Sequence, residues 1–219
     1  ITNILSEENR GYVCALANAI YMKADWVNKF EKEGTYKETF TDINGDESEI
    51  DFMHQAADFK YYENGDTKAV KLPYENGLSM VVVLGDTKNI LNDIHNNKMT
   101  SKLVDVSLPK FKAEYSIDYV NILKNMGIEK AFDNQNADFS LMLENYPERI
   151  KIDSVLQKAM IDVDEKGTEA AAATVAVLTK SALSVDEEVI EFRADKPFTY
   201  YILDDNGNVY FAGRYVKAE

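Results

Sequence analysis

The residues most suited to nucleophilic catalysis are two histidines, His54 and His95, in a chain of 219 residues. Their spacing links neither of them to a nucleophile, and the stretch GLSMV around Ser79 departs from the GxSxG pattern of a serine on a strand-to-helix turn. Each histidine is therefore interpreted as a surface or strand-edge residue. The chain also lacks a phosphate-binding loop, a CxxC pair and a dinucleotide fingerprint, so the sequence gives little support to an enzyme.

An acidic turn at residues 42–47 is the best candidate for a metal site. Its glycine, Gly45, stands at the fourth place, whereas a calcium loop needs glycine at the sixth place and glutamate at the twelfth. A polar hairpin turn is the better interpretation. The single Cys14 lies in an apolar run without a nearby cation, which predicts a small buried residue rather than a reactive thiol. We expect no metal and no cofactor.

The segment EKGTEAAAAT, residues 165–174, carries the strongest functional signal. Its four alanines favour a helix, so one interpretation is an exposed helix or linker capped at Thr168. Read as a strand, it places Thr168, Ala170, Ala172 and Thr174 on one face and Glu169, Ala171 and Ala173 on the other. One face is then entirely small, as required of a strand that slides between two existing strands over a packed core. Gly167 would supply a hinge with free φ.

The elements that must position this segment are mostly strands. Residues 12–24 are a long apolar run, which predicts a strand buried on both faces, with a helix as the rival interpretation. Helical spacing predicts two short helices, one around residues 90–99 and one over 116–127. Alternating patterns separated by turns predict strands at 35–40, 47–53, 57–62, 67–72, 78–84, 188–192, 198–205 and 208–216. The totals indicate a β-rich α+β fold in one continuous domain.

Charge and hydropathy exclude two classes of partner. A formal charge of −14 repels nucleic acid and gives no electrostatic reason to bind an anionic membrane. No apolar run reaches the roughly 18 residues needed to cross a bilayer. The first residues, ITNILSEEN, lack both a methionine and a leader, so we expect a fragment whose targeting signal is missing.

Residues 165–174 resemble the proximal hinge of inhibitory serpins almost letter for letter. Further serpin signatures follow in the family's order: NAIYMKADW at 18–26, LPKF at 108–111, MGIEKAF at 126–132, ADFSLM at 137–142, ADKPFTYYI at 194–202 and FAGRYV at 211–216. Residues 1–219 are thereby identified as a serpin domain without its N-terminal part. The resemblance covers the C-terminal half to two thirds of a serpin.

The resemblance implies the serpin fold and a protease inhibitor rather than an enzyme. A serine protease would attack the reactive-centre loop, residues about 165–187, and form an acyl-enzyme with it. The loop would then insert from Thr168 onward as a new central strand, so that the active form is metastable. The alternatives are a non-inhibitory serpin with a chaperone, carrier or storage role, or an inactive fragment that needs the missing N-terminal part of the same protein. An extracellular, secreted protein is expected from the family.

The family spacing also marks the reactive bond. Seventeen residues counted from Glu165 end at Ser181, which places the bond between Ser181 and Ala182. A small side chain at Ser181 suits elastase-like or subtilisin-like proteases. Lys180 would instead favour trypsin-like enzymes, and Leu183 is a further alternative.

Two supporting regions follow from the same resemblance. Trp26 matches the tryptophan of the breach, at the top of the main sheet, where Lys110 and Glu165 are expected to form an exposed ion pair. Asn18 belongs to the shutter, where serpins usually carry His-Lys-Ala and this chain has Gln-Lys-Ala beginning at Gln157. The amide of Gln157 can donate a hydrogen bond to Asn18, but it cannot provide the protonation control of a histidine.

Overall fold

The computed structural model describes residues 4–5, 11–142, 150–168 and 189–218. Within these ranges the strands are β1 Ala15–Tyr21, β2 Ala24–Asp25, β3 Tyr36–Thr41, β4 Glu47–Asn64, β5 Thr67–Pro73, β6 Ser79–Leu84, β7 Thr100–Pro109, β8 Phe111–Asp118, β9 Ser154–Val163, β10 Gly167–Thr168, β11 Ile190–Arg193, β12 Phe198–Leu203 and β13 Val209–Tyr215. The helices are α1 Ile90–His95 and α2 Val120–Asn125, with 3-10 turns at Lys32–Gly34 and Lys130–Phe132. The β-rich α+β class predicted from the sequence is confirmed.

The chain divides into two compact units, and the smaller comprises residues 1–22 and 113–161. Its sheet has the order β1-β9-β8. Strands β1 and β9 are parallel, in a register that runs from Ala15 opposite Ser154 to Tyr21 opposite Met160. The Asp153 carboxylate accepts hydrogen bonds from the backbone N–H groups of Val13 at 2.7 Å and Cys14 at 3.2 Å. This carboxylate therefore joins the chain before β1 to the chain before β9.

The exposure of β1 differs from the prediction. The strand itself forms, but Leu16 is 48% and Tyr21 40% exposed, so it is not buried on both faces. Cys14, expected to be buried, is only partly covered. The apolar run predicted burial because apolar side chains are usually buried in a folded protein. Within the described residues of this unit, however, β1 is largely exposed.

The larger unit, residues 23–112 and 162–219, contains an eight-stranded sheet. The strand order is β11-β7-β4-β5-β6-β12-β13, and β3 pairs with the first part of β4. Two strands were predicted at 47–53 and 57–62, but β4 runs unbroken for 18 residues. The intervening residues contain no glycine, proline or asparagine to end the strand. The ladder passes from β3 to β7 at Phe52, which pairs with both strands.

The core of the larger unit is built from strands that are buried on both faces. In β6, every residue from Ser79 to Val83 is buried, as its continuous apolar run requires. Helix α1 closes one region of this core through Ile90, and Asp93 on the same helix accepts a hydrogen bond from the Tyr62 hydroxyl. The predicted polar turn is also formed, because the Asp42 carboxylate accepts the N–H groups of Asn44 and Asp46.

The second helix is shorter than predicted. Residues from Ser116 to Asp118 continue β8, and α2 begins only at Val120. The Asp118 carboxylate accepts the Val120 N–H at 3.0 Å and also binds the Ser154 hydroxyl and the Val155 N–H of β9. One aspartate thus ends the strand, accepts the first N–H of the helix and joins β8 to β9. The spacing of apolar residues could not reveal this change from strand to helix.

Candidate functional site

The segment expected to act as the hinge begins with a tight turn. Backbone hydrogen bonds join Asp164 and Gly167 in both directions, and the Asp164 carboxylate accepts the N–H groups of Lys166 and Gly167. Strand β10 then pairs antiparallel with β2, with Gly167 opposite Asp25 and Thr168 opposite Ala24. The backbone of residues 164–168 is therefore fixed before the alanine run begins.

Two further backbone hydrogen bonds hold this turn from the other side. The N–H of Trp26 donates to the carbonyl of Lys166 at 2.8 Å, and the N–H of Phe30 donates to the carbonyl of Glu165 at 2.9 Å. Sequence reasoning missed both the two-residue strand β2 and these bonds. Nothing in the composition of two residues could have shown that they pair with a distant turn.

Gly167 is required by close packing of two backbones. Its φ is +142°, and a Cβ at this position would overlap the Ala24 carbonyl oxygen and lie 2.6 Å from the Asp25 Cα. The sequence suggested a freely rotating hinge, whereas the structure gives steric contact with β2 as the reason for glycine. Only a residue without a side chain fits here.

Gly167→Ala is accordingly expected to destabilise the full-length protein by roughly 2 to 4 kcal/mol, because backbone atoms must move to accept the methyl group. Urea unfolding followed by circular dichroism measures the loss. Gly77→Ala is the matched control, since Gly77 also has a positive φ, +83°, but no atom lies within 4 Å of its Cβ position. Equal losses in the two variants would show that φ alone, and not the contact with β2, determines the cost.

Trp26 is buried against the turn at residues 164–168. The side chain is 1% exposed, and its indole N–H donates to the Asp164 carbonyl at 2.9 Å. Tyr74 stacks on the indole with ring centroids 4.2 Å apart, and Phe30 approaches it edge-on at 6.1 Å. The resemblance pointed to Trp26, but Tyr74 was not predicted. A buried indole with a satisfied N–H is a rigid support for the backbone above it.

Lys110 and Glu165 form an ion pair at the same turn. Lys110 Nζ lies 3.0 Å from each carboxylate oxygen of Glu165. Lys110 is the one residue between β7 and β8, and its N–H donates to the Asp51 carbonyl. The pair was expected to be exposed, but Glu165 is only 6% exposed because the turn folds it beneath the backbone. It is therefore a half-buried pair with a buried carboxylate.

Electrostatics keep Glu165 ionised. Burial opposes the charge, but a hydrogen bond from its own backbone N–H and the Lys110 ammonium outweigh that effect, so the pKa of Glu165 lies below its usual value. A carboxyl whose pKa is lower in the folded state stabilises the fold at neutral pH, and this contribution is lost as the pH falls through the folded value. The pair is therefore weakened by acid.

The shutter residues lie opposite one another. Asn18 on β1 and Gln157 on β9 are Cα partners in the parallel ladder, so their backbones are adjacent. No hydrogen bond joins these two side chains in the described part of the chain. The remaining hinge residues, Glu169 to Thr174, and the reactive-bond candidates Lys180, Ser181, Ala182 and Leu183 lie outside the described residues.

The described ranges contain neither a cluster of metal-binding side chains nor a helix that could cross a membrane. There, no group of three or more His, Cys, Asp or Glu side chains is arranged to hold a metal ion. Helices α1 and α2, the two in this part of the chain, are each six residues long, far below the length that spans a bilayer.

The fold and the turn at residues 164–168 have counterparts in a known protein family. A family model described as Serpin (serine protease inhibitor) matches residues 1–218. This chain belongs to the serpin family. An uncharacterized serpin-like protein of Thermococcus kodakarensis is 37% identical over 216 residues, which cover 91% of this serpin and 48% of the relative. Antitrypsin of Bombyx mori is 31% identical, over 92% of this serpin and 54% of the relative.

A solved structure supports the fold assignment. The crystal structure of tengpin, a thermophilic serpin in the native state, matches 98% of this serpin and 58% of its own chain with a TM-score of 0.83 and 29% identity. The fold described above is therefore the serpin fold. The chain spans about half the length of the curated relatives it matches.

Proposed function

We propose that the protein containing this chain inhibits a serine protease as a suicide substrate. The protease cleaves the reactive-centre loop, remains attached as an acyl-enzyme, and is trapped as the loop inserts from Thr168 into the sheet that contains β1 and β9. The chain needs to supply no catalytic group, because the reacting serine belongs to the protease. The family description and the name antitrypsin carried by the silkworm relative favour a protease target.

The observation that carries the proposal is the direct pairing of β1 with β9. Seven residue pairs are in register, from Ala15 to Tyr21, so the two strands are hydrogen-bonded to one another along the whole of β1. An inserted strand would have to separate them. The pairing supports the proposal because it leaves the place between β1 and β9 unoccupied by a further strand.

The hydrogen-bonded turn at residues 164–168 supports the same mechanism. Strand β9 ends at Val163, and the turn at residues 164–168 follows it. This turn is held by the hydrogen bond from the Trp26 indole, by pairing with β2 and by the ion pair with Lys110. The small residues that follow Thr168 begin at a defined point of the fold rather than on a loose linker. If about ten residues gain ladder hydrogen bonds at roughly 1 kcal/mol each, insertion releases on the order of 10 kcal/mol. That energy is comparable to the stability of an ordinary domain.

The decisive experiment mixes the full-length protein with elastase-like, subtilisin-like and trypsin-like proteases. We expect a covalent complex that survives SDS with at least one of them. The control uses the same protease with its active-site serine blocked, which should give no complex. Cleavage of the loop without any covalent complex across the panel would contradict the proposal and favour a non-inhibitory serpin.

The bond between Ser181 and Ala182 is the proposed reactive bond. Cleavage there should release a C-terminal fragment that begins at Ala182, and small-pocket proteases should react fastest because Ser181 fills only a small pocket. Mass spectrometry of the released fragment measures its first residue. A fragment that begins at Ser181 would assign the specificity to Lys180, and one that begins at Ser184 would assign it to Leu183.

A further inference from the structure

Four polar side chains from four strands meet in the larger unit, and we name them the clasp: Glu38 on β3, His54 on β4, Ser107 on β7 and Arg193 on β11. His54 and Arg193 are both Cα partners of Ser107, so these three residues lie in one row across three adjacent strands. Glu38 contacts all three from β3. The sequence interpretation of His54 as a surface or strand-edge residue is wrong, since its side chain is 16% exposed in the middle of β4.

The distances define a connected network. His54 Nε2 lies 2.7 Å from Ser107 Oγ and 3.4 Å from Glu38 Oε1. Ser107 Oγ lies 3.3 Å from Glu38 Oε2, and the Arg193 guanidinium donates to the same oxygen at 2.6 Å. The other imidazole nitrogen, His54 Nδ1, lies 2.8 Å from the Gly34 carbonyl oxygen. A carbonyl can only accept, so Nδ1 carries a proton.

Counting protons shows that the network is complete only when the imidazole is charged. With Nδ1 protonated, a neutral His54 presents Nε2 as an acceptor, and the single hydroxyl proton of Ser107 must serve it. Nε2 and Glu38 Oε1 then face each other as two acceptors. In the charged imidazole, Nε2 donates towards Ser107 and Glu38, and the Ser107 hydroxyl is free to donate to Glu38. Each of the contacts between the four clasp side chains then joins a donor to an acceptor.

Charged groups of both signs lie beside the imidazole. Glu38 lies between the imidazole and the guanidinium, with one oxygen towards each. The hydrogen bond to Glu38 raises the pKa of Arg193, with further contributions from Glu191 and Asp195, so this cation persists throughout the neutral range. The Tyr36 ring stacks on the imidazole with centroids 4.1 Å apart. Histidine is the side-chain type that changes charge between about pH 5 and 8.

Strand β11 depends on the clasp more than its neighbours do. It has four residues and, within the described part of the chain, pairs with one strand, β7. Phe192 is fully buried, and Arg193 is tied to β3 through Glu38. Strands with one partner and few residues open most readily in the native state. The ion pair between Arg193 and Glu38, which adds to the hydrogen bonds between β11 and β7, should therefore strongly affect how often β11 detaches.

We propose that the clasp is a proton-sensitive lock on β11, which holds this strand to the sheet more tightly when His54 is charged than when it is neutral. The charged imidazole and the Ser107 hydroxyl fix the Glu38 carboxylate, and the fixed carboxylate holds Arg193. Protonation of the imidazole therefore closes the lock, and loss of that proton opens it. The property belongs to the sheet and is independent of protease inhibition.

Amide hydrogen exchange of β11 in the full-length protein tests this directly. After correction for intrinsic exchange rates, we expect the β11 amides to be roughly fivefold better protected at about pH 5.5 than at about pH 8. His54→Gln should abolish this difference, because the amide cannot gain a proton. His95→Gln, which removes an exposed histidine on α1, should leave the difference intact. The amides of β13, at the other edge of the sheet, should show no such difference.

A second variant keeps the test valid if His54→Gln fails to fold. Glu38→Gln has nearly the same shape but no negative charge, so it should remove the pH difference in β11 while His54 remains present. Equal protection of wild-type β11 at the two pH values would overturn the proposal. So would a pH difference that persists in Glu38→Gln, or one that His95→Gln abolishes.

Discussion

We expect Thr168→Arg in the full-length protein to convert the proposed inhibitor into a substrate. If the loop enters the sheet, residue 168 must enter first, because its backbone already pairs with Ala24 at the point where the fixed turn ends. Burying an arginine without a partner costs several kcal/mol. Insertion would then be too slow to trap the acyl-enzyme, and the protease would complete hydrolysis and leave.

The measurement is the stoichiometry of inhibition, the number of inhibitor molecules consumed for each protease molecule trapped. We expect it to rise at least tenfold, with cleaved protein replacing the covalent complex on SDS gels. Thr100→Arg is the matched control, because Thr100 is an exposed threonine at the start of β7. An unchanged stoichiometry in Thr168→Arg would rule out insertion from this residue.

The second large effect is expected from reversing the charge of Glu165. Glu165→Lys places a buried lysine beside Lys110, where the wild-type carboxylate accepts a hydrogen bond at 3.0 Å. Removing one partner of a fully buried pair costs about 3 to 5 kcal/mol, and solvent at Lys110 reduces that cost for this half-buried pair. The turn before Thr168 should loosen, and strands that separate there would expose edges on which a second molecule can pair. We therefore expect much faster polymerisation on mild heating.

Restoring opposite charges should slow the polymerisation again. The double variant Glu165→Lys, Lys110→Glu re-forms the pair in reverse, and native gels after timed heating compare it with the single variant. Asp205→Lys provides the control, because Asp205 pairs with Lys71 at the same distance, 3.0 Å, but its side chain is 84% exposed. Such an exposed pair contributes only about 0 to 1 kcal/mol. A double variant that polymerises as fast as Glu165→Lys would show that the pair itself does not hold the turn.

The sequence predicted the elements whose patterns are local. Strands β3, β5 and β6 formed close to the expected residues because their alternation and Asn-Gly turns carry the information within a few positions. Strands β7, β8 and β9 were not predicted. Apolar and polar residues alternate over 104–108 and over 111–118, a strand pattern that the prediction overlooked, and the pairing partners of these strands lie far along the chain.

The residues of the candidate site could be predicted only where the sequence resembles a serpin motif. Trp26, Lys110 and Glu165 came from the resemblance, and their hydrogen bonds and burial came from the structure. The clasp could not be predicted, because His54, Ser107 and Arg193 meet through strand register. Register across distant strands depends on the whole sheet rather than on spacing along the chain.

The continuous strand β4 has a consequence for how the length of this chain can vary. Phe59 and Tyr61 are buried in β4, whereas Asp58 and Lys60, which alternate with them, are exposed. Loss of one residue in the middle of β4 would exchange these two sets and turn charged side chains into the core. The strand also joins β3 at one end to β5 at the other, so the error would reach both hairpins. Insertions and deletions among homologous chains should therefore occur in the turns at residues 42–46 and 64–67, while β4 keeps its length of 18 residues.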